Sequence, residues 1–190
     1  MRQWVTESGI PNAIGLQARQ APAVDYVKDL LKQGFAGKVL SAKLNLSIEG
    51  MGGESDKANS YLFDREAGGN LLTIVTGHNL DAFTYMLGDF KEWSAVTAQQ
   101  FAEVRITDTD ESMAKTTDDQ ILINGLLESG AAAQVHVQGG VKHGTGLTIE
   151  IFGDHQGTLV LSAPATVQFG SHGLLDAVEE SARTGNRHVF

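Results

Sequence analysis

The sequence has no cysteine. Disulfide frameworks, thiolate nucleophiles and cysteine-based zinc sites are thereby excluded. Basic residues are scarce: 14 Lys+Arg stand against 23 Asp+Glu, a formal net charge of −9. Such a chain is a poor electrostatic match for phosphate backbones or anionic lipid, so neither nucleic acid nor a membrane surface is expected as a partner. No window approaches the ~18 uninterrupted apolar residues of a spanning helix. The start, Met1-Arg2-Gln3-Trp4-Val5-Thr6-Glu7, has no apolar leader region. A cytoplasmic, soluble chain is expected. With 42% hydrophobic residues and only 3 prolines, it reads as ordinary globular. Its 190 residues suit one domain spanning 1–190.

What is present is periodicity. Ala13-Ile14-Gly15-Leu16 reads as a short strand. Pro22 suits a first helical position, where its missing N–H costs nothing. Val24, Val27, Leu30 and Leu31 follow at helical spacing, and Gly34 and Gly37 close the helix. The period then becomes two: Leu44, Leu46 and Ile48 alternate with Lys43, Asn45 and Ser47, a half-buried strand. Gly68-Gly69 opens a second helix that runs to about Leu87, and its first half, Leu71-Leu72-Thr73-Ile74-Val75, is apolar enough to predict burial on nearly every side. Strands are predicted over 93–106, 120–127, 131–138, 147–152 and 158–161, with turns at Glu128-Ser129-Gly130 and 153–157, a hairpin loop over 140–146 and a last helix over 174–183. Short turns between the last strands favour antiparallel pairing. The fold class is α+β: an open, mainly antiparallel sheet with helices packed on one face.

One strand face carries Ile121, Ile123, Val135, Val137, Leu147, Ile149 and Ile151. The other carries Gln120, Asn124, Gln134, His136, Gln138, Thr148 and Glu150, beside Lys43, Asn45 and Ser47. That second face is polar with few charges, which suits a solvated sheet, an interface with another copy or a substrate-facing wall.

Chemistry-bearing motifs are few. Gly50-Met51-Gly52-Gly53 follows a strand, but Ser55 stands where a dinucleotide fingerprint needs its third glycine. It reads as a loop. The 6 histidines show no His-x-x-x-His or Glu-x-x-His spacing, so no metal site is expected. His78 sits mid-helix in an apolar stretch, with Asp81 at i+3 on the same face. That pairing fits a carboxylate-oriented general base, and equally a satisfied core histidine.

The order of Gly15-Leu16-Gln17-Ala18-Arg19, Pro22 with its helix, Gly34-Phe35-Ala36-Gly37-Lys38-Val39-Leu40-Ser41, the Gly68-Gly69 helix with His78 and Asp81, and Ile149-Glu150-Ile151-Phe152-Gly153 is informative as a set. It resembles the C-terminal domain of the glucose–fructose oxidoreductase/inositol dehydrogenase/MocA family. Leu71-Leu72-Thr73-Ile74, Gly77-His78 and Thr117-Asp118-Asp119-Gln120 are similar to the branch of the fungal galactose-regulon repressor. The resemblance implies an NAD- or NADP-binding Rossmann domain ahead of a substrate-binding and dimerisation domain. This sequence carries only the latter, with 1–16 resembling the end of the former. Catalytic members have a Glu-Lys-Pro motif, absent here, and an aspartate four residues before the histidine, where this chain has Ile74.

The resemblance therefore implies catalytic candidates His78 and Asp81, substrate-binding candidates Arg19 and Asn70, and Gln17 at the nicotinamide end of a cofactor site built elsewhere. The expected function is the substrate-binding and dimerisation half of an NAD(P)-dependent oxidoreductase-like protein acting on sugars or polyols, not self-sufficient in catalysis. The alternative is a non-catalytic regulatory module. No cofactor is expected on the isolated chain, and a homodimer through the low-charge sheet face is.

Overall fold

The structure, a computed structural model, describes residues 7–9, 11, 15–155 and 158–163. The predicted helix over 174–183 lies outside these residues, as do parts of the predicted strand at 13–16 and turn at 153–157.

A 3-10 turn, Gln17–Gln20, leads into helix α1, Pro22–Lys32. Proline at the first turn and Asp25 beside it suit a helix start, where orphan N–H groups and the positive dipole end lie. Strand β1 is Val39–Ser47, and β2 is the short Glu54–Ser55. Two 3-10 turns follow, Ser60–Phe63 and Arg65–Ala67. A π-helical segment, Leu71–Thr76, continues into α2, Gly77–Leu87. The remaining strands are β3 Phe90–Ala98, β4 Glu103–Ile106, β5 Glu111–Ala114, β6 Gln120–Leu127, β7 Ala132–Gln138, β8 Gly146–Gly153 and β9 Thr158–Ala163.

Six strands form one sheet in the order β3-β6-β7-β1-β8-β9. Every neighbouring pair is antiparallel except β1 with β7, where Ser41 aligns with Ala132 and Ser47 with Gln138 in parallel. The alternation in β1 puts Ala42, Leu44 and Leu46 on the same face as Val135, Val137, Ile149 and Ile151, and all are buried. Val24 and Val27 of α1 and Ala82, Phe83 and Met86 of α2 complete this core. Each large side chain fully buried there contributes roughly 1.5–3 kcal/mol of transfer free energy.

Four expectations are corrected. The loop over 140–146 is not a hairpin, because β1 lies between β7 and β8 and separates them. The stretch 93–106 is not one strand. The chain leaves the large sheet after Ala98, where the Asp119 carboxylate accepts from the backbone N–H groups of Gln100 and Phe101. Beyond that bend, β4 joins β2 and β5 in a second, three-stranded sheet over a small core of Phe63, Val104 and Ile106. The second helix opens at Leu71 rather than at the glycines, because Asn70 caps it. Its first turn is buried on one side only: Leu71 and Val75 meet the sheet, while Leu72 is 44% and Ile74 38% exposed.

A buried ion pair joins the two sheets. Lys115 Nζ lies 2.6 Å from Asp119 Oδ2, and both side chains are 0% exposed. The ammonium also donates to the Met51 carbonyl at 3.1 Å and sits 5.9 and 5.7 Å from the ring centroids of Phe63 and Phe101. No helix of the described residues is long and apolar enough to cross a membrane.

Candidate functional site

The Gln17–Gln20 turn packs against α2 and brings Arg19 to Asp81, while no hydrogen bond among the described residues joins Asn70 or His78 to that pair. The cap comes first. Asn70 Oδ1 accepts from the N–H groups of Leu72 and Thr73, both at 3.0 Å, while Thr73 Oγ1 accepts from the Asn70 N–H at 3.0 Å. This reciprocal arrangement satisfies the orphan donors of the helix start. The amide oxygen of Asn70 is therefore committed to the helix, and only its NH2 group is left outside the cap.

From that start, α2 carries His78, Asp81 and Tyr85 at spacings of three and four, one above another on one face. Asp81 is almost buried and does not serve His78. Both its oxygens are taken by Arg19, with Nε at 2.7 Å from Oδ2 and Nη2 bonded to Oδ1. This two-bond fork anchors the 3-10 turn to α2 and raises the Arg19 pKa above its ordinary value, chiefly through the Asp81 hydrogen bond. The Asp81–His78 partnership expected from i, i+3 spacing is thereby corrected: a planar guanidinium matches a carboxylate on both oxygens, and an imidazole on one. His78 is half-buried and makes no hydrogen bond among the described residues.

Tyr85 extends the cluster. Its hydroxyl donates to Asp25 Oδ1 at 3.0 Å, which pushes the phenol pKa up. Lys28 Nζ lies 3.2 Å from the ring centroid and Arg19 Cζ 5.3 Å. Sequence reading missed Tyr85, Asp25 and Lys28. The one available signal was the continuation of the His78, Asp81 stripe to position 85.

Gly15, Leu16, Gln17, Arg19 and Gln20 line an open cleft of ≈ 490 Å³. Its polar groups are the exposed part of the Arg19 guanidinium and two amide side chains, which suit hydroxyl-bearing ligands. A dinucleotide fits these residues poorly. At the start of α1, Pro22 has no N–H and those of Val24 and Asp25 are bonded to the Ala21 carbonyl, and the start of the second helix is closed by its own capping box. Neither presents the glycine turn and free N–H groups that hold a pyrophosphate. No group of three His, Asp or Glu side chains that could hold a metal ion occurs among the described residues.

A mostly antiparallel six-stranded sheet with helices on one face is the fold of the C-terminal domains of the glucose–fructose oxidoreductase/inositol dehydrogenase/MocA oxidoreductases. Within them, the chain belongs to the Gal80p C-terminal domain family, whose family model matches residues 22–163. It is 32% identical over 111 residues to the dehydrogenase aclE of Aspergillus oryzae, covering 58% of this chain and 30% of aclE. It is 30% identical over 149 residues to the galactose/lactose metabolism regulatory protein GAL80 of Kluyveromyces lactis, covering 73% of this chain and 31% of GAL80. The chain thus spans about a third of the length of these relatives. The crystal structure of Gal80p from Kluyveromyces lactis superimposes with a TM-score of 0.76 at 26% identity, over 86% of this chain and 43% of that one. Levoglucosan dehydrogenase with NADH and L-sorbose shares the fold, with a TM-score of 0.72 at 22% identity over 88% of this chain and 47% of that one.

Proposed function

We propose that this chain is the substrate-side and dimerisation half of an NAD(P)-dependent oxidoreductase-type protein whose substrates are sugars or polyols. The observation that carries this reading is the Arg19–Asp81 fork, which ties a guanidinium lining an open cleft to the helix that bears His78, a side chain without a hydrogen bond among the described residues. In the complete arrangement Arg19 and the Asn70 amide orient substrate hydroxyls, and His78 accepts the proton of the hydroxyl being oxidised. The hydride acceptor is supplied with a nucleotide-binding half, and Gln17 lines its nicotinamide end. The isolated chain binds neither NADH nor NADPH.

Dimerisation uses the open sheet face. Gln120 pairs with Gln138 and Asn124 with Gln134 across β6 and β7, and His136 Nε2 lies 3.2 Å from Gln120 Oε1. Lys43 and Glu150, the charges between them and the far edge, sit opposite one another in register.

A second reading is favoured by one position. Ile74 stands where catalytic relatives have aspartate, and it is 38% exposed beside His78. An apolar side chain there cannot share a proton and suits a regulatory module that binds a protein. The deciding experiment supplies the chain with a nucleotide-binding half and measures NAD(P)-linked oxidation of a polyol panel. Turnover that His78→Ala abolishes while the melting curve stays unchanged supports the enzyme reading. Absence of turnover across the panel in a folded, NADH-binding protein supports the regulatory one. For the dimer, Asn124→Lys with Gln134→Lys is expected to break the sheet-face contact and lower the sedimenting mass; a native chain already monomeric refutes that contact.

A further inference from the structure

Among the described residues, nothing covers the outermost strand of the large sheet. β3 is bonded to β6 along one edge and has no strand on the other among the described residues. Every position from 91 to 97 is exposed, and Trp93 and Val96 are 64% and 65% exposed. Trp93 is in register with Gly125 and lies on the helix-bearing side of the sheet; Val96 is in register with Leu122 on the open side. Apolar surface therefore flanks this edge above and below.

Sheet edges are normally guarded by lysines, prolines or bulges. Here the guards are confined to one end: Lys91 and Glu92 beside an irregularity in pairing between Phe90 and Glu92. From Trp93 to Ala98 the strand reads Trp-Ser-Ala-Val-Thr-Ala, uncharged, without proline, and rich in residues that favour strands.

We propose that β3 is a strand-addition surface and that its occupant is β3 of a second copy of this chain, antiparallel across a two-fold axis. The two six-stranded sheets then join into one of twelve. Self-pairing is selected by the charge pattern. A two-fold axis near Ala95 sets the uncharged run Trp93 to Thr97 of one copy against the same run of the other. It also carries the charged ends to opposite ends of the ribbon. The two Glu92 side chains then lie about 20 Å apart at the usual strand rise, beyond the ~8 Å over which charges act at physiological salt. Like positions face like, so Trp93 meets the 93, 95, 97 row of its mate and Val96 meets the 94, 96 row. The contact is isologous and closes at two copies. It is smaller than the ~1,600 Å² of a standard interface, so it is weak, and Trp93 is its anchor. It uses a different surface from the sheet-face contact.

The test is amide hydrogen exchange on the full chain over a range of concentrations, with sedimentation in parallel. Alternate amides between 91 and 97, those pointing away from β6, are expected to gain protection as association proceeds. Trp93→Lys and Val96→Lys are expected to weaken association on the order of 10- to 100-fold and to remove that gain. A chain that stays monomeric at its highest soluble concentration overturns the proposal. So does association in which the outward amides of β3 exchange as freely as in the monomer, the result expected if copies meet only through the sheet face. Should a Trp93 variant fail to fold, exchange in the native chain still decides.

Discussion

Replacing Asp119 by alanine asks whether the two sheets stand or fall together. The carboxylate accepts from Lys115 Nζ at 2.6 Å and from the N–H groups of Gln100 and Phe101 at 3.0 to 3.1 Å, with no access to water. Its removal leaves an ammonium facing one carbonyl and two aromatic rings. Breaking a buried pair from one side costs about 3–5 kcal/mol. Lys115→Met is gentler, because Asp119 keeps both backbone donors and a thioether fills the space between Phe63 and Phe101; about 1–3 kcal/mol is expected. For a domain of this size the alanine change lowers the melting temperature by roughly 6–20 °C. Urea unfolding of the native chain, both single variants and the double variant gives the coupling. The double variant is expected to lose less than the two singles combined, since once the cation is gone the carboxylate has less to hold. Equal costs for the two singles, or simple additivity, would refute the argument.

Arg19→Ala strips the nearly buried Asp81 carboxylate of both its hydrogen bonds, and a loss of about 1–3 kcal/mol is expected in thermal melts. Arg19→Lys recovers only part, because an ammonium cannot form the fork; full recovery would count against the two-bond geometry. Burial lowers the His136 pKa below its usual 6.5. The unfolded chain then binds the proton more readily than the folded one. Stability is complete above about pH 6.5, falls as pH drops from there toward the folded pKa, and is flat in His136→Gln over that window, as urea titrations at several pH values would report. Gly153→Ala points its methyl group onto the Ala36 carbonyl oxygen. A destabilisation of about 1–3 kcal/mol is expected, and an unchanged melting temperature would show that the β8 end yields more easily than described.

Much of the sheet was legible because its strands alternate. The prediction for 120–127 matches β6 to the residue, and the seven apolar side chains assigned to one face are all buried. What alternation cannot convey is partner choice. β1 was read correctly as a half-buried strand, but its place between β7 and β8 depends on contacts far along the chain. The small sheet escaped notice because Glu54–Ser55 and Glu111–Ala114 are too short and too exposed to show a period. Lys115 and Asp119 have helix-like i, i+4 spacing in a segment that is not helical, so only burial shows what they do. At the site, spacing brought His78 and Asp81 onto one face as expected. It could not reveal that Arg19, distant in sequence, would claim both oxygens of the carboxylate.

The position of β1 also sets a timetable for the growing polypeptide. Ser41 pairs with Ala132, and on its other side with Phe152. On a ribosome adding about 5–20 residues per second, a strand made early waits on the order of 5–20 s for either neighbour to appear. Through that interval Leu44 and Leu46 have no sheet to enter, and the helix that carries Asp81 has only the α1 region to pack on. The Arg19–Asp81 fork, whose two ends are both synthesised before β3, is thus available to fasten the early helices to each other while the centre of the sheet is still missing.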